Sequence, residues 1–109
     1  MAARKQKRMS AQLAEDEDYQ LRHERVAGID VAKASGMVCL RLPPAEGKAR
    51  RTSRTWETGA TAQEIAAVAG ELKAAGVELV SMESTSDYWR IWFAVLEEAG
   101  LGVDRKSVV

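Results

Sequence analysis

The stretch GIDVAKASGMVCL, residues 28–40, reads as two strands joined by a turn at Ala34-Ser35-Gly36, with one acid, Asp30, set between Ile29 and Val31. Successive side chains of a strand point to opposite faces. Asp30 therefore shares a face with Val26 and Gly28, and Ile29 and Val31 take the other. An acid so placed either ends its strand and accepts backbone hydrogen bonds in the turn, or it faces a ligand. What lies beside the strand decides between the two.

Outward from this hairpin, residues 26–31 form the first strand and residues 37–42 the second. Pro43-Pro44 should end the second, since proline cannot donate to a ladder. Ala45-Glu46-Gly47 makes a turn, and residues 49–56 make a third strand, so the chain begins as an antiparallel meander. Then the period changes. Thr61-Ala62-Gln63-Glu64 is a capping box, with Thr61 as N-cap and Glu64 at the third helical position. Ile65, Val68, Ala69 and Leu72 follow at helical spacing as one buried stripe. Gly76 closes the helix as a left-handed cap. Residues 77–82 are a short apolar fourth strand with Glu83 at its carboxyl end. A second helix runs over 87–99, its Trp89, Trp92, Phe93 and Leu96 inward and Gly100 as its cap. Those aromatics read as core packing rather than as a platform for a ligand or a base. Leu101-Gly102-Val103 starts a fifth strand and then meets Asp104-Arg105-Lys106. The order is β-β-β-α-β-α-(β). The first helix is a crossover, which places the fourth strand parallel to the first with a right-handed connection.

On the fourth strand Val77, Leu79, Ser81 and Glu83 share a face. As parallel neighbours, the first and fourth strands would bring Asp30 and Glu83 together near the sheet's rim. Apposed carboxylates repel unless a proton or cation lies between them. Mg²⁺ suits such a place, because it takes hard oxygen ligands and keeps several waters. With further carboxylates, two ions clamp the attacking and leaving oxygens of a phosphodiester. The plain alternative is that Asp30 ends its strand and Glu83 is a first-turn acid, stabilised by the positive end of the second helix. Spacing alone leaves both open.

Two longer motifs bear on that choice. Val26-Ala27-Gly28-Ile29-Asp30-Val31-Ala32-Lys33 resembles the amino-terminal signature of the DEDD transposases of the insertion-sequence 110 class. Val80-Ser81-Met82-Glu83-Ser84-Thr85-Ser86-Asp87-Tyr88-Trp89 resembles that family's second signature, with Ser86 where glycine is usual. Leu96-Glu97-Glu98-Ala99-Gly100-Leu101 also fits, so the resemblance runs over residues 26–103. It implies an RNase H-like, RuvC-like α/β domain, similar to Holliday-junction resolvases, in which four acids hold Mg²⁺. Asp30 matches the first acid and Glu83 the second, as metal ligands and catalytic residues. It further implies DNA as partner, a structured guide RNA in some members, and strand cleavage and rejoining as the activity. The family's Lys-Thr-Asp-x-x-Asp-Ala stretch and its separate serine domain have no counterpart in these residues, and Asp104 does not stand in such a motif. The expectation is thus an N-terminal piece of a transposase, incomplete at the C-terminus, with half a metal site and inactive alone. Two alternatives are a non-catalytic nucleic-acid-binding module and a nucleotide-binding fragment of the sugar-kinase and actin class.

Composition sets the remaining bounds. The chain has 109 residues, 46% apolar and 29% charged, with no formal net charge. This is an ordinary globular composition of one small domain, and bulk charge names no partner. Locally the charge is uneven. Lys33, Arg41, Lys48, Arg50, Arg51 and Arg54 face a lone acid, Glu46, across the early strands. Of these, Lys33, Lys48, Arg50, Arg51 and Arg54 are the candidates for contacting nucleic acid; the bland alternative is a solvated strand face. Cys39 is the only cysteine, which rules out an internal disulfide and agrees with a reducing cytoplasm. Its apolar strand makes it a small core residue rather than a nucleophile. No apolar run approaches ~18 residues, and the basic N-terminus lacks an apolar stretch, so neither a membrane span nor a secretory signal is expected. Residues 1–24 pair a basic cluster (Arg4, Lys5, Lys7, Arg8) with an acidic one (Glu15 to Asp18). They read as a disordered or loosely helical arm, able to touch nucleic acid, or as an extension upstream of a start at Met9. Residues 25–109 form the domain. Loss of the fifth strand would leave the fourth as an exposed apolar edge, prone to self-association into a homo-oligomer.

Overall fold

The computed structural model describes residues 24–84 and 86–107. Apart from Glu24, the charged arm expected over residues 1–24 lies outside them. The elements are β1 (Val26–Val31), β2 (Ser35–Pro44), β3 (Arg51–Gly59), α1 (Ala62–Ala74), β4 (Leu79–Ser84), α2 (Trp89–Glu98) and β5 (Val103–Ser107). They form a five-stranded mixed sheet in the order β3-β2-β1-β4-β5. The β1–β2 and β2–β3 pairs are antiparallel, and the β1–β4 and β4–β5 pairs are parallel. The meander and crossover expected from the sequence are both present.

Alternation divides the sheet residues between two faces. Ala27, Ile29 and Val31 of β1, Val38 and Leu40 of β2, and Val80 and Met82 of β4 pack against Ile65, Val68, Ala69 and Leu72 of α1 and Trp92 and Leu96 of α2. Both helices therefore cover one face. Trp92 is wholly buried there, and it rests on Gly36. A Cβ at Gly36 would lie 2.5 Å from the Trp92 ring, so only glycine admits the indole. Trp89 and Phe93, expected to point inward, are partly buried and meet edge to face, 5.9 Å apart with an interplanar angle of 89°. They flank the core rather than fill it.

The capping box forms as its residues imply. Thr61 Oγ1 accepts from the Glu64 N–H at 3.1 Å, and the Thr61 N–H donates to Glu64 Oε1 at 3.3 Å. Gly76 follows α1 with φ of 74°, a left-handed backbone that costs glycine little. Some boundaries differ from the sequence expectation. β2 runs through Pro43 and Pro44, because a register shift between Leu42 and Pro44 takes up the missing donors. β4 includes Glu83, so that acid stands inside a strand and not before a helix. α2 starts at Trp89, after a turn in which the Arg90 N–H donates to the Asp87 carbonyl at 3.2 Å.

One expectation is corrected outright. The fifth strand forms through Asp104, Arg105 and Lys106 and pairs with β4 from Val80↔Val103 to Ser84↔Ser107. Backbone pairing at a sheet edge does not demand an apolar sequence, and charge on an edge strand suits it. β4 is thus interior, and the ground for expecting self-association through it is gone.

Candidate functional site

The face opposite the helices carries the polar groups. Asp30 of β1 lies between Met37 of β2 and Glu83 of β4, and Gly28 lies between Cys39 and Ser81. Asp30 and Glu83 are direct register partners on adjacent parallel strands, which run about 4.8 Å apart. Both are on central strands, so the sheet fixes their spacing on both sides. Asp30 is only 7% exposed and Ser81 only 5%, while Glu83 is half-buried. Met37 and Cys39, both buried, form an apolar wall beside the acids. Cys39 Sγ lies 3.9 Å from Ser53 Oγ in this wall, the position of a small packing residue. Gly28 places no side chain between Cys39 and Ser81.

Two hard oxygen donors side by side fit the chemistry of a divalent ion such as Mg²⁺, which would keep water on its remaining positions. Among the described residues no group of three or more His, Cys, Asp or Glu side chains is placed to hold a metal. The described residues therefore do not bring together the set for a two-ion clamp.

The five basic candidates do not form one patch. Lys33 is exposed in the β1–β2 turn, at the carboxylate end of the sheet. Lys48 and Arg50 lie in the β2–β3 connection and Arg51 opens β3, at the opposite end. Antiparallel strands reverse direction at each turn, so consecutive turns fall at opposite ends of the sheet. Arg54 lies on the helix-covered face, 4.3 Å over the Trp56 ring and 3.4 Å from Glu71 of α1. Alternation also puts Arg41 and Glu57 on the Asp30 face, Arg41 opposite Val26 and Glu57 opposite Met37. Neither was singled out as a site residue from sequence; counting in twos along β2 and β3 was the signal that would have found them.

No family model and no curated protein matches the chain. Among solved structures it is similar to the RuvC of Thermus thermophilus, with 21% identity and a TM-score of 0.50, over 76% of this chain and 63% of that one. It is also similar to the Aquifex aeolicus member of the Ppx/GppA protein family, with 17% identity and a TM-score of 0.51, over 78% of this chain and 35% of that one. The chain thus spans well short of the full length of either. At such identities the likeness shows the fold: a mixed five-stranded sheet with helices on one face, of the RNase H-like, RuvC-like type.

Proposed function

We propose that this chain is an RNase H-like nucleic-acid-processing domain in which Asp30 and Glu83 supply two ligands of a divalent-metal site. The observation that carries it is their in-register pairing on the two central parallel strands. The two signatures at residues 26–33 and 80–89 support the finer reading, the N-terminal part of a DEDD transposase of the insertion-sequence 110 class. Its partners would be DNA and, as in some members, a structured guide RNA.

The residues divide the work. Strand pairing on both sides fixes the backbone of Asp30, and burial limits the room its carboxylate has. Glu83, more exposed, is the ligand better placed to adjust. Lys33 stands at the same end as a cation for an incoming phosphate. When bound, Mg²⁺ would supply charge stabilisation on the phosphodiester oxygens. Two carboxylates hold one such ion weakly, and the 109-residue chain is expected to cleave no DNA by itself. Calorimetric titration with Mg²⁺ should give weak binding that Asp30→Asn abolishes. Binding that survives Asp30→Asn and Glu83→Gln together sinks the metal assignment. Cleavage of a branched DNA in Mg²⁺, lost in Asp30→Ala, would overturn the expected inactivity.

A second reading also has an observation in its favour. The Ppx/GppA family member matches the fold as well as RuvC does, which lends weight to the nucleotide-binding alternative. Against it, Ala32 and not glycine follows the Asp30-Val31 pair. Thermal stabilisation by ATP, without any by oligonucleotides, would favour that alternative.

A further inference from the structure

At the far end of the Asp30 face, two arginines share a small area. Arg41 of β2 lies opposite Val26 of β1 and Ser53 of β3. Arg51 lies opposite Pro44, one step beyond Ser53 on the same face. Both are half-buried. The Nε of each is shut off from solvent and has no hydrogen-bond acceptor among the described residues. Arg51 Nη2 donates to the carbonyl oxygen of Glu24. Burial and the neighbouring Arg41 charge hold the Arg51 guanidinium below its ordinary value, and Glu24 only partly offsets this. Two neighbouring like charges, each with an Nε that lacks an acceptor among the described residues, favour a further anion beside them. The planar fork of arginine matches the oxygens of a phosphate. Lys48 and Arg50 stand exposed at this same end, with Glu46 as the acid of their loop.

We propose that Arg41 and Arg51 form a phosphate-binding subsite for the backbone of a nucleic-acid strand laid along the Asp30 face. This rests on the nucleic-acid reading above. The geometry relates the subsite to the carboxylates. Arg41 and Met37 sit opposite Val26 and Asp30, and four strand residues span about 13 Å. That is the axial rise of roughly four nucleotides of a stacked strand. A strand with one phosphodiester at Asp30 and Glu83 therefore presents another at the arginines. The two ends also differ in what they need. Asp30 and Glu83 at one end suit a cation, whereas the arginines at the other suit phosphate directly.

The test follows the Arg41 and Arg51 Nε–H resonances of the full chain by NMR without Mg²⁺. One titration uses inorganic phosphate and another uses single-stranded DNA long enough to span both ends. The expected result is that the DNA moves both resonances saturably, and phosphate alone does so weakly. The doubly substituted chain, Arg41→Gln with Arg51→Gln, should bind the DNA about tenfold or more weakly. Its log–log salt slope should shrink by about 1.4, for two lost phosphate contacts. DNA that binds while both resonances stay still overturns the subsite and leaves the nucleic-acid reading intact. Phosphate that moves them when no DNA binds overturns the backbone as the source, and the nucleic-acid reading with it. The resonance readout on the unsubstituted chain holds even if the double substitution impairs folding.

Discussion

The two faces of one sheet do different work here. On the helix-covered face, Ile29, Val38, Val80, Met82 and Trp92 are wholly buried and carry no charge. On the opposite face, the same strands present Asp30, Ser81, Glu83 and Arg41. A residue's place in the count of two decides which role it takes. Ile29 and Asp30 are chain neighbours, yet one packs under helices and the other lies on the opposite face beside Glu83. The contrast teaches that stability and chemistry are separated by alternation rather than by distance along the chain.

Substitutions probe that separation in order of size. Trp92→Ala should cost the most, about 3–5 kcal/mol, because it empties a fully buried site against Gly36. Denaturant unfolding reads this directly. Gly36→Ala comes next, at about 1–3 kcal/mol, since its Cβ would meet the Trp92 ring. A milder loss of ~1 kcal/mol is expected for Thr61→Ala, which removes the acceptor for the Glu64 N–H. Arg54→Ala should cost roughly 0.2–1 kcal/mol, for an exposed ion pair with Glu71 that water and salt weaken. Smallest of all is Arg41→Gln, expected within about 0.5 kcal/mol of the parent chain. The contrast between faces breaks if Arg41→Gln destabilises as much as Gly36→Ala. It sharpens if Arg41→Gln leaves unfolding unchanged while weakening DNA binding.

Much of the fold was legible because its signals are local. The capping box at Thr61 and Glu64, the glycine after α1 and the apolar stripe of α1 each depend on residues a few positions apart. β5 was less legible. Asp104, Arg105 and Lys106 do not look like a strand, and only the edge that β4 offers for backbone pairing explains why they form one. The two prolines of β2 misled for a related reason, since a register shift lets a strand continue where an ideal ladder would stop.

For the candidate site, the types and faces of Asp30 and Glu83 could be read from the chain. So could the fact that a crossover helix would make their strands parallel. Their exact opposition in register could not, because register depends on how the whole sheet packs. The basic residues show the limit most clearly. Lys33, Lys48, Arg50, Arg51 and Arg54 are close in sequence, but two turns and one face change scatter them. Arg41 and Arg51, ten positions apart, end near one another on paired strands, Arg41 opposite Ser53 and Arg51 opposite Pro44. Sequence alone determined the order of the meander, the crossover helix and the fourth strand, and the residue types that the strands carry, since these follow from local periodicity and short motifs. Tertiary structure alone decided which charges meet, because meeting is set by strand pairing, and pairing is a property of the assembled sheet.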